Sequence, residues 1–126
     1  MKYLFLLYVD ESRMEPGLYP SDIDEHIAFT RDAISRGSYV SCDALAPPAT
    51  ATTLRMRDGK TLISDGPFAE TREVLGAFYI LDCADLDEAL AMAEHLPQAS
   101  HGAIEIRAIA DVPGWDEAIG LSGRDR

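Results

Sequence analysis

Two stretches of this chain, residues 2–9 and 76–83, are apolar on both parities. Successive side chains of a strand point to opposite faces, so such a run belongs in the middle of a sheet, covered on both sides. Each stretch precedes a segment with helical spacing. In the first, Ser21 stands at an N-cap position, Asp22, Asp24 and Glu25 complement the helix dipole, and Ile23, Ile27, Thr30 and Ile34 form a stripe. That helix runs to Arg36 and stops at Gly37, suited to a left-handed cap. In the second, Asp85-Leu86-Asp87-Glu88 has capping-box spacing and opens a helix through Leu96, burying Leu86, Ala89, Leu90, Ala93 and Leu96 before Pro97 ends it. Residues 39–45 and 103–109 read as half-buried strands, the latter alternating Ile104/Ile106 against Glu105/Arg107.

The order is therefore β-α-β, an insertion, then β-α-β. The insertion carries strands at 52–57 and 60–64 around Asp58-Gly59, a strong signal for a two-residue hairpin turn. Residues 69–75 are expected to make one or two helical turns. Two doubly buried strands and two half-buried ones fit an α+β fold, a ferredoxin-like βαββαβ antiparallel sheet with the hairpin inserted. Right-handed crossovers place both helices on one face. The opposite face then keeps apolar residues with little chain left to cover them, which predicts a homodimer packed sheet against sheet.

At 126 residues this is one domain, spanning 1–110, with a tail at 111–126. Acids outnumber bases 22 to 11, and the net charge of −11 repels a phosphate backbone, which argues against nucleic acid as a partner. Cys42 and Cys83 are isolated, as buried thiols rather than a disulfide framework would be. The apolar opening is short for a signal peptide and runs into Asp10-Glu11 without a small-residue cleavage site. No segment approaches membrane-spanning length. The expected localisation is cytoplasmic, with no membrane partner.

Residues 65–73, Asp65-Gly66-Pro67-Phe68-Ala69-Glu70-Thr71-Arg72-Glu73, form a turn, an aromatic and an acid-rich stretch between the hairpin and the second central strand. The run resembles the signature of DGPF-type proteins of the YCII-related family, and the resemblance extends from the opening strand to Ile109. It implies the dimeric α+β barrel architecture. Glu25-His26-Ile27-Ala28-Phe29 is similar to the His-x-x-Phe/Leu pattern on the first helix of YCII-type relatives. The resemblance implies a functional role for His26, with Asp10, at the end of the first strand, as its partner.

Topology alone gathers Asp10, His26, Asp65, Phe68, Glu70 and His101 at one rim of the sheet, with Phe29 beside His26. A carboxylate next to His26 would orient the imidazole and raise its pKa, making a general acid or base near neutral pH. The bland alternative is a boundary histidine with a satisfied hydrogen bond. Asp65 and Glu70 either line a pocket mouth or are solvated, while Phe68 is expected to plug a core edge. His95 should face water, and His26, His95 and His101 lack the paired spacing of a metal site. No nucleophile motif or phosphate-cradling glycine loop is present, and no bound cofactor is indicated. Trp115 and Tyr19 are read as interface residues. The expectation is a small organic ligand at the rim with cofactor-independent, isomerase- or lyase-like proton transfer through His26 and Asp10. The alternative is a non-catalytic binding or regulatory module that works through its dimer surface and hairpin.

Overall fold

Tyr3, Phe5, Leu7 and Val9 are buried in β1 (Lys2–Asp10), while the residues between them are only half-buried. The computed structural model describes residues 1–13 and 23–121. Ser21, Asp22, Tyr19 and the last five residues of the tail, all read from sequence above, lie outside them. The other strands are β2 (Tyr39–Ala44), β3 (Thr52–Arg57), β4 (Lys60–Asp65), β5 (Glu73–Asp82) and β6 (Gly102–Ala108). The helices are α1 (Ile23–Ser35), α2 (Leu86–Ala93), α3 (Gln98–His101) and α4 (Trp115–Ala118). Four strands form an antiparallel sheet in the order β2-β5-β1-β6, so the two doubly apolar stretches are its central strands, in ferredoxin-like order. No helix among the described residues is long and apolar enough to cross a membrane.

Residues opposite each other in β1 and β5 share a face: Tyr3 with Leu81, Phe5 with Tyr79, Leu7 with Ala77. The register slips between Leu7 and Tyr8, leaving Gly76 as the extra residue of a bulge, so Val74 and Ala77 both point to the buried side. Phe29 and Ala33 of α1, Ala89, Met92 and Ala93 of α2, and Leu96 complete a single core on that side. The opposite face carries Leu4, Leu6, Tyr8, Phe78 and Ile80, each half-buried.

Caps and turns follow the local chemistry. Gly37, at φ +77°, closes α1 in a Schellman arrangement, with Ser38 N donating to Ala33 O at 2.9 Å and Gly37 N to Ile34 O at 3.0 Å. The Asp85 carboxylate caps α2 by accepting from Glu88 N at 2.9 Å. Asp58 and Gly59 both have positive φ, 50° and 73°, as a type I′ hairpin requires, and β3 and β4 form a separate two-stranded sheet.

Three local expectations are corrected. The buried face of α1 is Phe29/Ala33 rather than the isoleucine stripe: Ile34 is 56% exposed, and Ile23 and Ile27 are also exposed. Ala33 has no exposed surface, so the helix approaches the sheet at a small residue and the isoleucines are turned to one side. In α2, likewise, Ala89, Met92 and Ala93 are buried while Leu86 and Leu90 are exposed. Residues 69–72 are not helical, because the chain is already bending into β5, where Glu73 pairs with Asp10.

Gly102 marks the tightest point of the sheet. A Cβ there would lie 2.1 Å from the Tyr8 carbonyl oxygen, a backbone atom held in the β1–β6 ladder. Gly102→Ala is therefore expected to cost about 2–3 kcal/mol, seen as a lower urea midpoint with an unchanged slope.

Candidate functional site

The half-turned α1 leaves an open cavity of about 310 Å³ between itself, β2 and β5. Ile23 and Ile27 wall it from the helix, and Ala44, Ala77 and Phe78 from the strands. His26, Thr30, Arg31, Cys42, Asp43 and Tyr79 bring polar atoms to the same walls. A mostly apolar concavity with a few convergent polar groups is the usual form of a small-molecule site.

Tyr79 organises these groups. It stands in the middle of β5 opposite Phe5, and its ring is buried, so its hydroxyl needs a partner inside the fold. Two side chains of α1 supply it. His26 Nδ1 lies 3.1 Å from Tyr79 Oη, and Thr30 Oγ1 lies 3.0 Å from the same oxygen. Thr30 also donates to the His26 carbonyl, one turn back, at 2.7 Å. The His26 and Tyr79 rings lie within 13° of parallel with centroids 6.0 Å apart, and Phe29 meets Tyr79 edge-on at 5.1 Å. His26 Nε2 is shielded from bulk water. Burial pushes the Tyr79 hydroxyl's pKa up, a rise that the Thr30 hydrogen bond partly offsets, so the phenol keeps its proton at neutral pH.

Asp10 stands elsewhere. It ends β1 opposite Glu73, five rungs along the strand from Phe5 and Tyr79. Its carboxylate accepts from the Ser12 hydroxyl at 2.8 Å and the Ser12 backbone N–H at 3.0 Å, and pairs with Arg72 at 3.3 Å. No hydrogen bond or ion pair joins it to His26 among the described residues. The expected His26–Asp10 pair is thus replaced by His26–Tyr79, because the helix sets His26 over the middle of β5 rather than over the end of β1. His101, at the end of α3, lines a second cavity of about 340 Å³ together with Asp10, Arg72, Glu73, Ser100 and Gly102. The rim and the cavity under α1 are therefore separate places.

The remaining candidates divide in the same way. Phe29 packs in the core against Tyr79. Asp65 ends β4 opposite Thr52 and is exposed, as is Glu70 in the following loop. Phe68 does not plug the core; it is 73% exposed, with the Arg55 guanidinium 4.7 Å above its ring. Sequence reasoning passed over Tyr79, and treated Thr30 only as a stripe residue. The available signals were a tyrosine in a doubly buried strand, whose hydroxyl must be satisfied, and a threonine four residues after a histidine on one helix face. Among the described residues, no cluster of three or more His, Cys, Asp or Glu side chains is arranged to hold a metal ion.

An antiparallel sheet in ferredoxin-like order, two helices on one face and a mostly apolar cavity under the first of them define a small α+β protein of one recurrent class. The chain belongs to the YCII-related family, whose domain matches residues 1–113. It is 42% identical over 118 residues to an uncharacterised protein of Rhizobium meliloti (strain 1021), covering 87% of this chain and 93% of that one.

The Asp10 contacts carry a prediction. Hydrogen bonds from the Ser12 side chain and backbone, then from Arg72, hold the Asp10 carboxyl below the ordinary aspartate range. A folded pKa below the unfolded one adds stability that is fully present above the unfolded value and is lost as the pH falls through the folded one. Ser12→Ala should raise the Asp10 pKa more than Arg72→Ala does, measured by carboxyl-carbon NMR titration. The reverse order would show that the ion pair dominates.

Proposed function

We propose that the protein binds a small organic molecule in the cavity under α1 and that His26 acts there as general acid and base. The observation that carries this is the His26–Tyr79–Thr30 cluster in the wall of an otherwise apolar cavity. An imidazole titrates near neutrality and takes or gives a proton with little driving force in either direction. Proton transfer within one bound molecule fits such a group, as in an isomerisation or a lyase-type elimination. Arg31 lines the same cavity and would orient a polar or anionic end of the ligand.

The working unit in this reading is a homodimer joined through the sheet face that the helices leave open. Its support is the row of half-buried apolar side chains Leu4, Leu6, Tyr8, Phe78 and Ile80. An obligate interface of this kind buries more than about 2,000 Å² in total. Sedimentation at micromolar concentration should therefore return a dimer, and a monomer would overturn this part of the reading.

A second reading, a non-catalytic module, is favoured by one feature of the hairpin. Leu54 and Ile63 are paired across β3 and β4 yet 60% and 66% exposed, and an isolated two-stranded hairpin gains little stability by itself. That surface suits a protein partner.

One experiment separates the two readings. A library of small oxo acids and hydroxy acids is screened by amide chemical-shift changes on the labelled protein. Hits that move Ile27, Thr30, Cys42 and Phe78 support the cavity reading. Shifts confined to Asp10 and His101 move the site to the rim, and binding by neither leaves the module ahead. For any hit that is turned over, His26→Ala should lower turnover by at least about 100-fold while the fold is kept, since general acid–base catalysis contributes 10²–10⁴.

A further inference from the structure

The wall that α1 gives to its cavity is built from two ridges, each at four-residue spacing. His26 and Thr30 form one. Ile23, Ile27 and Arg31 form the other, which is apolar along two side chains and then ends in a guanidinium. The polar atoms of the first ridge and of the facing strand are engaged within the protein: His26 Nδ1 and Thr30 Oγ1 meet Tyr79 Oη, and Cys42 Sγ lies 3.7 Å from the Tyr39 hydroxyl. Asp43 also belongs to the lining, but it stands opposite Phe78 in the β2–β5 ladder, and its side chain alternates to the open face of the sheet. Among the described residues, Arg31 is left as the one permanent charge on the cavity side, and no hydrogen bond or ion pair engages its guanidinium. Arg36, further along the same helix, is by contrast held by Asp32 at 2.8 Å.

Given the cavity reading above, on which this rests, we propose that the ligand is a small monocarboxylate on a compact apolar body, and that Arg31 determines this specificity. A guanidinium has N–H donors and no acceptor, so the group that meets it must accept, and its planar fork matches the paired oxygens of a carboxylate. Ile23, Ile27, Ala44 and Ala77 take the rest of the molecule out of water. A volume of about 310 Å³ stands at the small end of ligand sites, with room for one ring or a short branched chain. The surroundings limit the ligand to a single charge. The chain carries a net charge of −11, so a second negative charge is opposed by the whole protein, while one guanidinium offsets only the first. A cation is repelled at Arg31, and a neutral amide gains a weaker hydrogen bond there than a carboxylate does. No proton transfer enters the selection.

The probes are isovalerate, cyclohexanecarboxylate and phenylacetate, each beside its primary amide and the corresponding amine, titrated into the full-length ¹⁵N-labelled protein at neutral pH and low salt. Binding is read from the backbone N–H signals of Ile27, Thr30 and Cys42. At least one carboxylate should bind there at least about fivefold tighter than its amide, the upper end for an ion pair open to water, and added salt should shrink the preference. The amines should not compete. Phenylmalonate, a dianion on the phenylacetate body, should bind more weakly than phenylacetate. Arg31 is exposed, so its variants leave the core undisturbed. Arg31→Gln should abolish the preference for carboxylate over amide, and Arg31→Lys should keep part of it. Arg36→Gln changes the net charge equally and should leave the preference intact. Amides that bind as tightly as their carboxylates overturn the proposal, as does tighter binding of the amines or of phenylmalonate. So does a preference that survives Arg31→Gln or is lost in Arg36→Gln. Each of those results leaves the cavity a binding site. If no probe of any charge moves the three signals, the cavity reading itself fails and the proposal falls with it.

Discussion

Phe5 and Tyr79 face each other across the two central strands, and the rest of the helix side is arranged around that pair. Phe5 has no exposed surface and fills the middle of the core. Tyr79 puts an equally large ring beside it but brings a hydroxyl that an apolar core cannot leave bare, since an unsatisfied buried polar group costs about 1–3 kcal/mol. The helix that covers this part of the sheet must therefore present polar atoms at one height. It does so with His26 and Thr30, one turn apart, and closes the core around them with Phe29 and Ala33. The same requirement that stabilises the core thus brings a titratable ring to the cavity wall.

The strands, their order and the hairpin were legible in the sequence because each is encoded by short-range patterns. Double-parity apolar runs mark β1 and β5, alternation marks β6, and Asp58-Gly59 marks the turn. The rotation of α1 was not legible. Hydropathy ranks Ile23, Ile27 and Ile34 above Phe29 and Ala33, yet the closest approach of a helix to a sheet is governed by size, and Ala33 permits it where an isoleucine would not. That one misreading hid the site. With the isoleucines inward, His26 would have been a shoulder residue leaning to the strand-end rim and Asp10. With Ala33 inward, it lies over the middle of β5 and meets Tyr79. Chain direction alone brings Asp10 and His101 to the lining of one cavity, whereas the place of His26 depends on the azimuth of a helix.

Charge is distributed with similar consequences. The chain carries a net charge of −11, yet the hairpin holds Arg55, Arg57 and Lys60 against Asp58 and Asp65. The open sheet face carries Glu105 opposite Leu6 and Asp43 opposite Phe78, bordering its apolar row. An acidic monomer with an apolar face is kept from indiscriminate association by like-charge repulsion, so contacts between copies form only where opposite charges or dry apolar surfaces are matched. The hairpin is a locally basic and apolar surface on such a protein. Phe68 fits this picture: instead of entering the core it lies under the Arg55 guanidinium, stiffening the base of the hairpin from outside.

The cavity itself follows from small residues placed where α1 has turned away. Ala44 and Ala77 are opposite each other on β2 and β5, and both line it. Larger side chains at these positions would fill the space and carry the weight of α1 on the sheet. With alanines there, the helix is held instead at Phe29 and Ala33 and by the hydrogen bonds to Tyr79. Those bonds are directional, so they resist rotation of the helix about its axis, which apolar contacts alone would permit at little cost. A cavity left beside a helix pinned by two hydrogen bonds keeps its shape when empty. The binding proposed there would then cost less conformational entropy than closing a loose helix onto a ligand.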